Sequence, residues 1–267
     1  ECRRPLALVT GASGFIGSEL VRKLSLHGYR VRVLLRASSS EANLLGAVYE
    51  KCVGSLEDPE SLHRAVAGAQ MVFHLAGVVT ASKAEDFFAA NTEGTKNLAQ
   101  ACATEGLVRF VYVSSLAAGG PSWVGRPRTE RDMDAPVSAY GRSKKAAEEI
   151  LEKFSNRFPV AIVRPPAVYG PRDRGIFEFI RLASFGILPT FPVSVPGGVK
   201  TYSLIHVRDL VTGILQAGCA NSEKRARYER FFLSGDGLYE WESVIRAAGR
   251  AVGRSTLLRV SPGGGFR

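Results

Sequence analysis

Short, solidly apolar runs alternate with helically spaced stretches along the first two thirds of the chain. The runs Leu6–Val9, Arg30–Leu35, Val48–Val53, Met71–Gly77, Phe110–Ser115 and Pro159–Val163 are predicted to be strands. The intervening stretches Glu19–Leu26, Pro59–Val66, Glu85–Thr104 and Ser138–Phe154 are predicted to be helices. The strands do not alternate apolar with polar positions, so both of their faces are expected to be buried. Strands taking turns with helices predict an α/β fold with a doubly wound parallel sheet. Beyond Arg164 the pattern loosens. Helices are expected over Phe177–Phe185, Asp209–Gly218 and Glu242–Val252, with strands over Thr201–His206 and Arg230–Leu233. This predicts a core domain over 1–170 and a smaller lobe over 171–267, interleaved with the core. The abrupt ending Gly263-Gly264-Gly265-Phe266-Arg267 reads as an incomplete lobe.

Composition narrows the classes. The 267 residues are 45% hydrophobic, enough for a packed core. A formal charge of +10 invites a nucleic-acid reading, but the basic residues are dispersed and form no tail. A phosphate-bearing ligand explains a positive balance as well, and no nucleic-acid partner is expected. Cys2, Cys52, Cys102 and Cys219 lie far apart without a C-x-x-C pair, which argues against a metal site or a disulfide framework. The most apolar late stretch, Phe177–Val195, is broken by Arg181, Pro189 and Pro192, so no membrane span is expected. With no visible signal peptide, the expected location is the reducing cytoplasm.

Candidate chemistry starts at Val9-Thr10-Gly11-Ala12-Ser13-Gly14-Phe15-Ile16-Gly17. Strand, glycine-rich turn and helix present bare backbone N–H groups and a helix N-terminus to a phosphate. The spacing is G-x-x-G-x-x-G, which by itself also suits an ordinary strand-to-helix turn. A second signal is Tyr140-Gly141-Arg142-Ser143-Lys144, which puts a phenol and an ammonium on one helix face. The Lys144 charge is expected to favour the phenolate and draw the Tyr140 pKa down toward neutrality. Ser115 ends a predicted parallel strand, where open α/β sheets place their ligand crevice. Its hydroxyl suits either a strand-end cap or a hydrogen bond to a substrate oxygen.

With these motifs in this order, the chain resembles the extended short-chain dehydrogenases/reductases. That superfamily includes NAD-dependent sugar epimerases, dehydratases and dihydroflavonol-reductase-like or hydroxysteroid-dehydrogenase-like enzymes. The matching stretches are Gly11–Gly17, His74-Leu75-Ala76-Gly77, Asn91-Thr92-Glu93-Gly94-Thr95, Ser114-Ser115, Tyr140–Lys144, Arg164–Pro171 and Ile205–Asp209. The resemblance implies a Rossmann-type domain over 1–170 and a substrate lobe over 171–267. It implies a catalytic group of Ser115, Tyr140 and Lys144, with Asn91 supporting a proton-relay water. It places the cofactor along Gly11, Ser13, Gly14, Phe15, Ile16, Gly17, Leu75, Ala76 and Gly77, with Lys144 on the nicotinamide ribose beside Tyr140. Pro166 and Val168 would line the nicotinamide, and Arg164 is expected to form an internal ion pair. A homodimer through the two long helices is also implied.

Three departures refine this picture. An acid that often ends the second strand is replaced by Arg36, followed by Ser38 and Ser39. This favours the 2′-phosphate of NADP(H), with NAD(H) as the lesser option. Ser55 stands where the family often has Asp near the adenine, leaving that contact to the Leu56 backbone. Tyr202 stands where nucleotide-sugar enzymes carry a diphosphate-binding Arg, and Ile187–Val193 is apolar. A small-molecule substrate without strong negative charge is therefore expected. The resulting reading is an NADP(H)-dependent oxidoreductase acting on a secondary alcohol or its carbonyl partner. The alternatives are a nucleotide-sugar epimerase/dehydratase and a non-catalytic NADP-sensing regulator.

Overall fold

The computed structural model describes residues 4–123, 126–189, 201–219, 226–254 and 258–260. The chain divides into two units, one of Glu1–Pro165 with Val207–Leu233 and one of Pro166–His206 with Ser234–Arg267. A single cut at 170 does not describe this division, because the chain leaves the first unit at Pro165 and returns to it at Val207.

The first unit runs β1 (Leu6–Thr10), α1 (Phe15–Leu26), β2 (Arg30–Leu35), β3 (Glu50–Val53), α2 (Pro59–Val66), β4 (Met71–His74), α3 (Ala84–Phe87), α4 (Gly94–Cys102), β5 (Arg109–Val113), α5 (Ala139–Phe154) and β6 (Val160–Arg164). The second unit begins with β7 (Ala167–Tyr169), α6 (Gly175–Ser184), β8 (Ile187–Pro189) and β9 (Thr201–His206). The chain then re-enters the first unit with α7 (Val207–Cys219) and β10 (Tyr228–Phe232). It ends in the second unit with β11 (Leu238–Glu240), α8 (Trp241–Ala251) and β12 (Leu258–Val260).

Seven strands form one sheet in the order β10-β6-β5-β4-β1-β2-β3. Every neighbouring pair is parallel. β1, β4, β5 and β6 are buried along their whole length, as their largely apolar sequences lead one to expect, with Thr10, His74, Arg109 and Arg164 buried at their ends. The order reverses between β1 and β4, so the C-terminal ends of these strands border a crevice at the switch point. β10 had been expected in the smaller lobe; instead it pairs with β6 in register Arg230↔Ile162. Buried Arg109 of β5 anchors this return, donating Nε to Ala217 O at 3.1 Å and pairing with Glu229. In the second unit, β11-β9-β7 form one small sheet and β12-β8 another.

Local chemistry explains the helix boundaries. Asp58 caps α2, accepting from Ser61 N at 3.2 Å, with Pro59 in the first turn. Ser138 caps α5, accepting from Gly141 N at 3.0 Å. α1 begins directly after Gly14, four residues earlier than its polar face suggests, and no side chain caps its first N–H groups. The stretch expected as one helix over Glu85–Thr104 is interrupted by a π-helical turn, Phe88–Glu93, which contains buried Asn91.

Candidate active site

A cavity of about 320 Å³ opens at the C-terminal ends of β1, β2, β3 and β4. Among its lining residues are Gly11, Ser13, Gly14, Arg36, Leu56, Leu75, Ala76 and Gly77, all expected from the sequence. Gly11 has φ +69°, and a Cβ there would lie 2.7 Å from Ala76 N. A Cβ on Gly17 would meet Gly11 O at 2.1 Å. Gly17 therefore serves helix–strand packing beneath the cavity and does not line it. Gly14 N-caps α1, whose first turn carries no acidic residue, so the helix end is electrostatically open to an anion. Phe15, Ile16 and Ser38 lie outside the lining, whereas Ser39, named beside Ser38 in the sequence, lies within it. A turn from Arg36 is closed by Ser39 N donating to Arg36 O at 2.9 Å.

The chemistry-bearing side chains gather at the end of β5. Ser115 caps a short 3₁₀ turn, its Oγ accepting from Ala117 N at 3.1 Å. The same hydroxyl keeps its proton and lies near enough to Tyr140 to favour its ionised form. The structure shows the cap directly, and capping does not use the Ser115 O–H. Burial pushes the Tyr140 hydroxyl above its ordinary value, and the nearby Ser115 hydroxyl opposes the rise. This corrects the expectation of a lowered Tyr140. The Lys144 ammonium is directed elsewhere, donating to Val113 O at 2.8 Å and lying 4.3 Å from the centre of the Tyr112 ring. Burial pulls Lys144 down to about 7, and the Glu148 carboxylate acts in the opposite sense.

Asn91 was expected to support a water. Instead, its Nδ2 donates to Val78 O and Ser143 Oγ, each at 3.0 Å, and its Oδ1 accepts from Val78 N at 2.8 Å. Both amide hydrogens are used, so in this structure Asn91 clamps the Gly77–Val78 turn to α5. Only a residue without a Cβ fits at Gly77, where that atom would lie 2.6 Å from Asn91 Oδ1.

His74 links the two walls. Thr95 Oγ1 donates to Asn91 O at 2.6 Å and so accepts from His74 Nε2 at 2.9 Å. His74 Nδ1 then accepts from Thr10 Oγ1 at 2.6 Å, and Thr10 Oγ1 accepts from Ala76 N at 3.2 Å. This chain assigns the Nε2–H tautomer. Burial, followed by the positive charge of Lys144, pulls His74 down to about 3, so the ring is neutral. Arg164 forms the expected internal ion pairs, with Glu148 and Asp134.

Comparison with known proteins decides the class. The NAD dependent epimerase/dehydratase family matches residues 7–229. The chain belongs to that family. It is 33% identical over 251 residues to the ceramide reductase of Caulobacter vibrioides, covering 94% of this chain and 71% of that protein. It is 32% identical over 244 residues to the UDP-glucose 4-epimerase of Vibrio cholerae, covering 86% of this chain and 70% of that one. The solved UDP-glucose 4-epimerase of Thermotoga maritima with UDP-glucose superposes with a TM-score of 0.82 at 25% identity, covering 96% of this chain and 86% of that chain.

The chain is therefore an extended short-chain dehydrogenase/reductase enzyme, a reductase or epimerase, and its family's cofactor is NAD(P). The site fits such a dinucleotide. The bare α1 N-terminus and the Gly11–Gly14 turn suit a pyrophosphate, and the apolar walls Leu34 and Leu56 suit an adenosine. Ser55, noted in the sequence beside the adenine position, lines the cavity too; Thr10, Leu34, Leu35, Gly54, Glu57, Val78 and Ala90 also line it and were not singled out from the sequence. Several sit at or just beyond the C-terminal ends of β1, β2 and β3, so the strand-end rule alone could have found them.

Pro166 and Val168 belong to the second unit, where Val168 pairs with Ile205. Tyr202 meets Trp241 edge-on, with ring centres 6.1 Å apart. Of the apolar stretch Ile187–Val193, the last four residues lie outside the described set, as does Cys2. No group of metal-ligating side chains occurs among the described residues, and no helix among them is long and apolar enough to cross a membrane.

Proposed function

We propose that the protein transfers a hydride between NADP(H) and a secondary alcohol or its carbonyl partner. The observation that carries this reading is the Ser115–Tyr140 hydroxyl pair at the end of β5, with Lys144 one turn along the same helix. NADPH, when bound, supplies the hydride. Ser115 donates a hydrogen bond to the carbonyl oxygen. Tyr140 delivers the proton to that oxygen in reduction and removes it in oxidation. Lys144 would turn from Val113 O to the nicotinamide ribose and lend its charge to Tyr140. The 33% identity to a ceramide reductase supports a reductase with a weakly charged, lipophilic substrate. A screen of long-chain and polycyclic ketones for NADPH consumption tests this directly. Consumption with none of them, alongside turnover of a nucleotide sugar, overturns it.

The cofactor preference rests on Arg36 and Ser39 at the end of β2, where an exposed guanidinium can fork onto a 2′-phosphate. Arg36→Ala is expected to weaken NADPH by about 10- to 100-fold, the worth of a charged hydrogen bond, and to leave NADH unchanged. Titration of both cofactors against both proteins checks this. Equal weakening would remove the 2′-phosphate assignment.

A second reading, sugar-nucleotide epimerisation, is favoured by the 32% identity to a UDP-glucose 4-epimerase. Tyr202, at the position of the diphosphate-binding Arg, argues against it. UDP- and dTDP-sugars are accordingly expected to raise the melting temperature little. Saturation at a hundred times the dissociation constant would add about 2.7 kcal/mol of stability. A thermal shift of that size from any sugar nucleotide would put the epimerase reading first.

A further inference from the structure

Tyr140, Lys144 and Glu148 follow one another at four-residue steps along α5, so their side chains share one face. Glu148 is fully buried. Its Oε1 accepts from the Ser114 hydroxyl at 2.5 Å and from Arg164 Nε at 2.8 Å, and its Oε2 accepts from Arg164 Nη2 at 2.5 Å. Arg164 is equally buried and donates Nη1 and Nη2 to Asp134 at 2.6 and 2.8 Å. Arg230 and Lys145 reach the same Asp134 at 2.7 and 3.2 Å. Arg164 thus has a second carboxylate and does not depend on Glu148 alone for its counter-charge. What distinguishes Glu148 is its other neighbours. Ser114 immediately precedes Ser115, and Lys144 lies one helical turn away.

We propose that Glu148 is a positioning residue of the Ser115–Tyr140–Lys144 group, holding the Ser114–Ser115 strand end against α5 and supplying the counter-charge for the Lys144 ammonium. The inference rests on the reading of Tyr140 as the acid–base group.

The groups facing Lys144 come from every neighbouring element. β5 contributes the Val113 carbonyl and the Tyr112 ring, and β4 contributes neutral His74. α5 contributes Tyr140 and Glu148, and β6 contributes Arg164 on the far side of Glu148. Among these described groups, Glu148 is the carboxylate, and it opposes the effect of burial on Lys144. Without that charge a buried ammonium is held by a carbonyl dipole and a ring face alone, and it loses its proton more readily.

Glu148→Gln keeps the shape and an oxygen for Ser114 and Arg164 Nε, and removes the charge. In carbonyl reduction its alkaline limb of kcat is expected to move to lower pH by about one unit, the low end of the effect of a close opposite charge. A carboxylate that only stabilised the fold would lower the melting temperature and leave the limb in place, and that result overturns the counter-charge role. Ser114→Ala keeps every charge. It is expected to lower kcat about tenfold, the worth of one hydrogen bond, with the limb at its wild-type position. Wild-type kcat in Ser114→Ala overturns the positioning role, and this variant decides the proposal should Glu148→Gln not fold. Tyr140→Phe separates the two levels. Wild-type turnover there removes the acid–base reading itself, whereas an inactive Tyr140→Phe with an unmoved limb in Glu148→Gln removes only the role of Glu148.

Discussion

Tyr140→Phe is expected to slow the hydride-transfer step by about 10²–10⁴-fold, the usual worth of a positioned acid or base. Cofactor affinity and melting temperature should stay near wild type. The hydroxyl it removes is only half-buried, as is Ser115, so water can take up the Ser115 O–H while its oxygen keeps Ala117 N. The ring is kept, and with it the packing against Phe87, whose ring centre lies 6.0 Å away. The upward shift of Tyr140 in this structure makes it a competent proton donor but a poor base near neutrality. Oxidation should therefore show the steeper pH dependence of the two directions, rising toward alkaline pH as the phenolate forms. Single-turnover oxidation of NADPH with the first active carbonyl compound is the measurement. Wild-type rates in Tyr140→Phe, with chemistry shown to limit turnover, would end the assignment.

The second large effect is on stability. Arg164→Leu should lower the melting temperature at neutral pH by on the order of 10 °C. Removing one partner of a buried ion pair costs about 3–5 kcal/mol, and a domain of 150–250 residues loses about 2–4 °C per kcal/mol. The cost arises because Glu148 and Asp134 stay buried. Ser114 remains on Glu148, and Lys145 and Arg230 remain on Asp134. Burial pushes the Asp134 carboxyl up, but the hydrogen bonds and charge of Arg164, then Lys145 and Arg230, carry it down to about 2. A carboxyl lowered on folding contributes stability above its unfolded pKa of about 3.9, and that contribution is lost as pH falls through the folded value near 2. The gap between wild type and Arg164→Leu should therefore narrow between pH 4 and pH 2. Melting curves across that range decide it, and equal melting temperatures at neutral pH would show that the network carries no net stability.

Much of the fold was legible because β1, β4, β5 and β6 are buried on both faces, and such strands are apolar along most of their length. α2 spans the predicted Pro59–Val66 and α5 starts one residue after the predicted Ser138; in the structure Asp58 and Ser138 cap these helices, and caps are local chemistry. The strands β7, β8, β11 and β12 were missed because each is a three-residue pairing with no period of its own. The π turn around Asn91 was also hidden, since a widened helical turn leaves the apolar spacing nearly unchanged.

The order of chemistry was written in the sequence: a glycine turn after a buried strand, a serine ending another, and Tyr140 and Lys144 one turn apart on a helix. These depend on backbone sterics and helical periodicity, which act over a few residues. Tertiary structure decided what those groups do before any ligand arrives. It brought β10 into the sheet behind Arg109, tied up Asn91 on Val78 and Ser143, and turned Lys144 toward Val113. It also made Glu148 the meeting point of Ser114 and Arg164, residues far apart in the chain. Each of these rests on long-range burial, where a polar group must find whichever partner the packing leaves within reach.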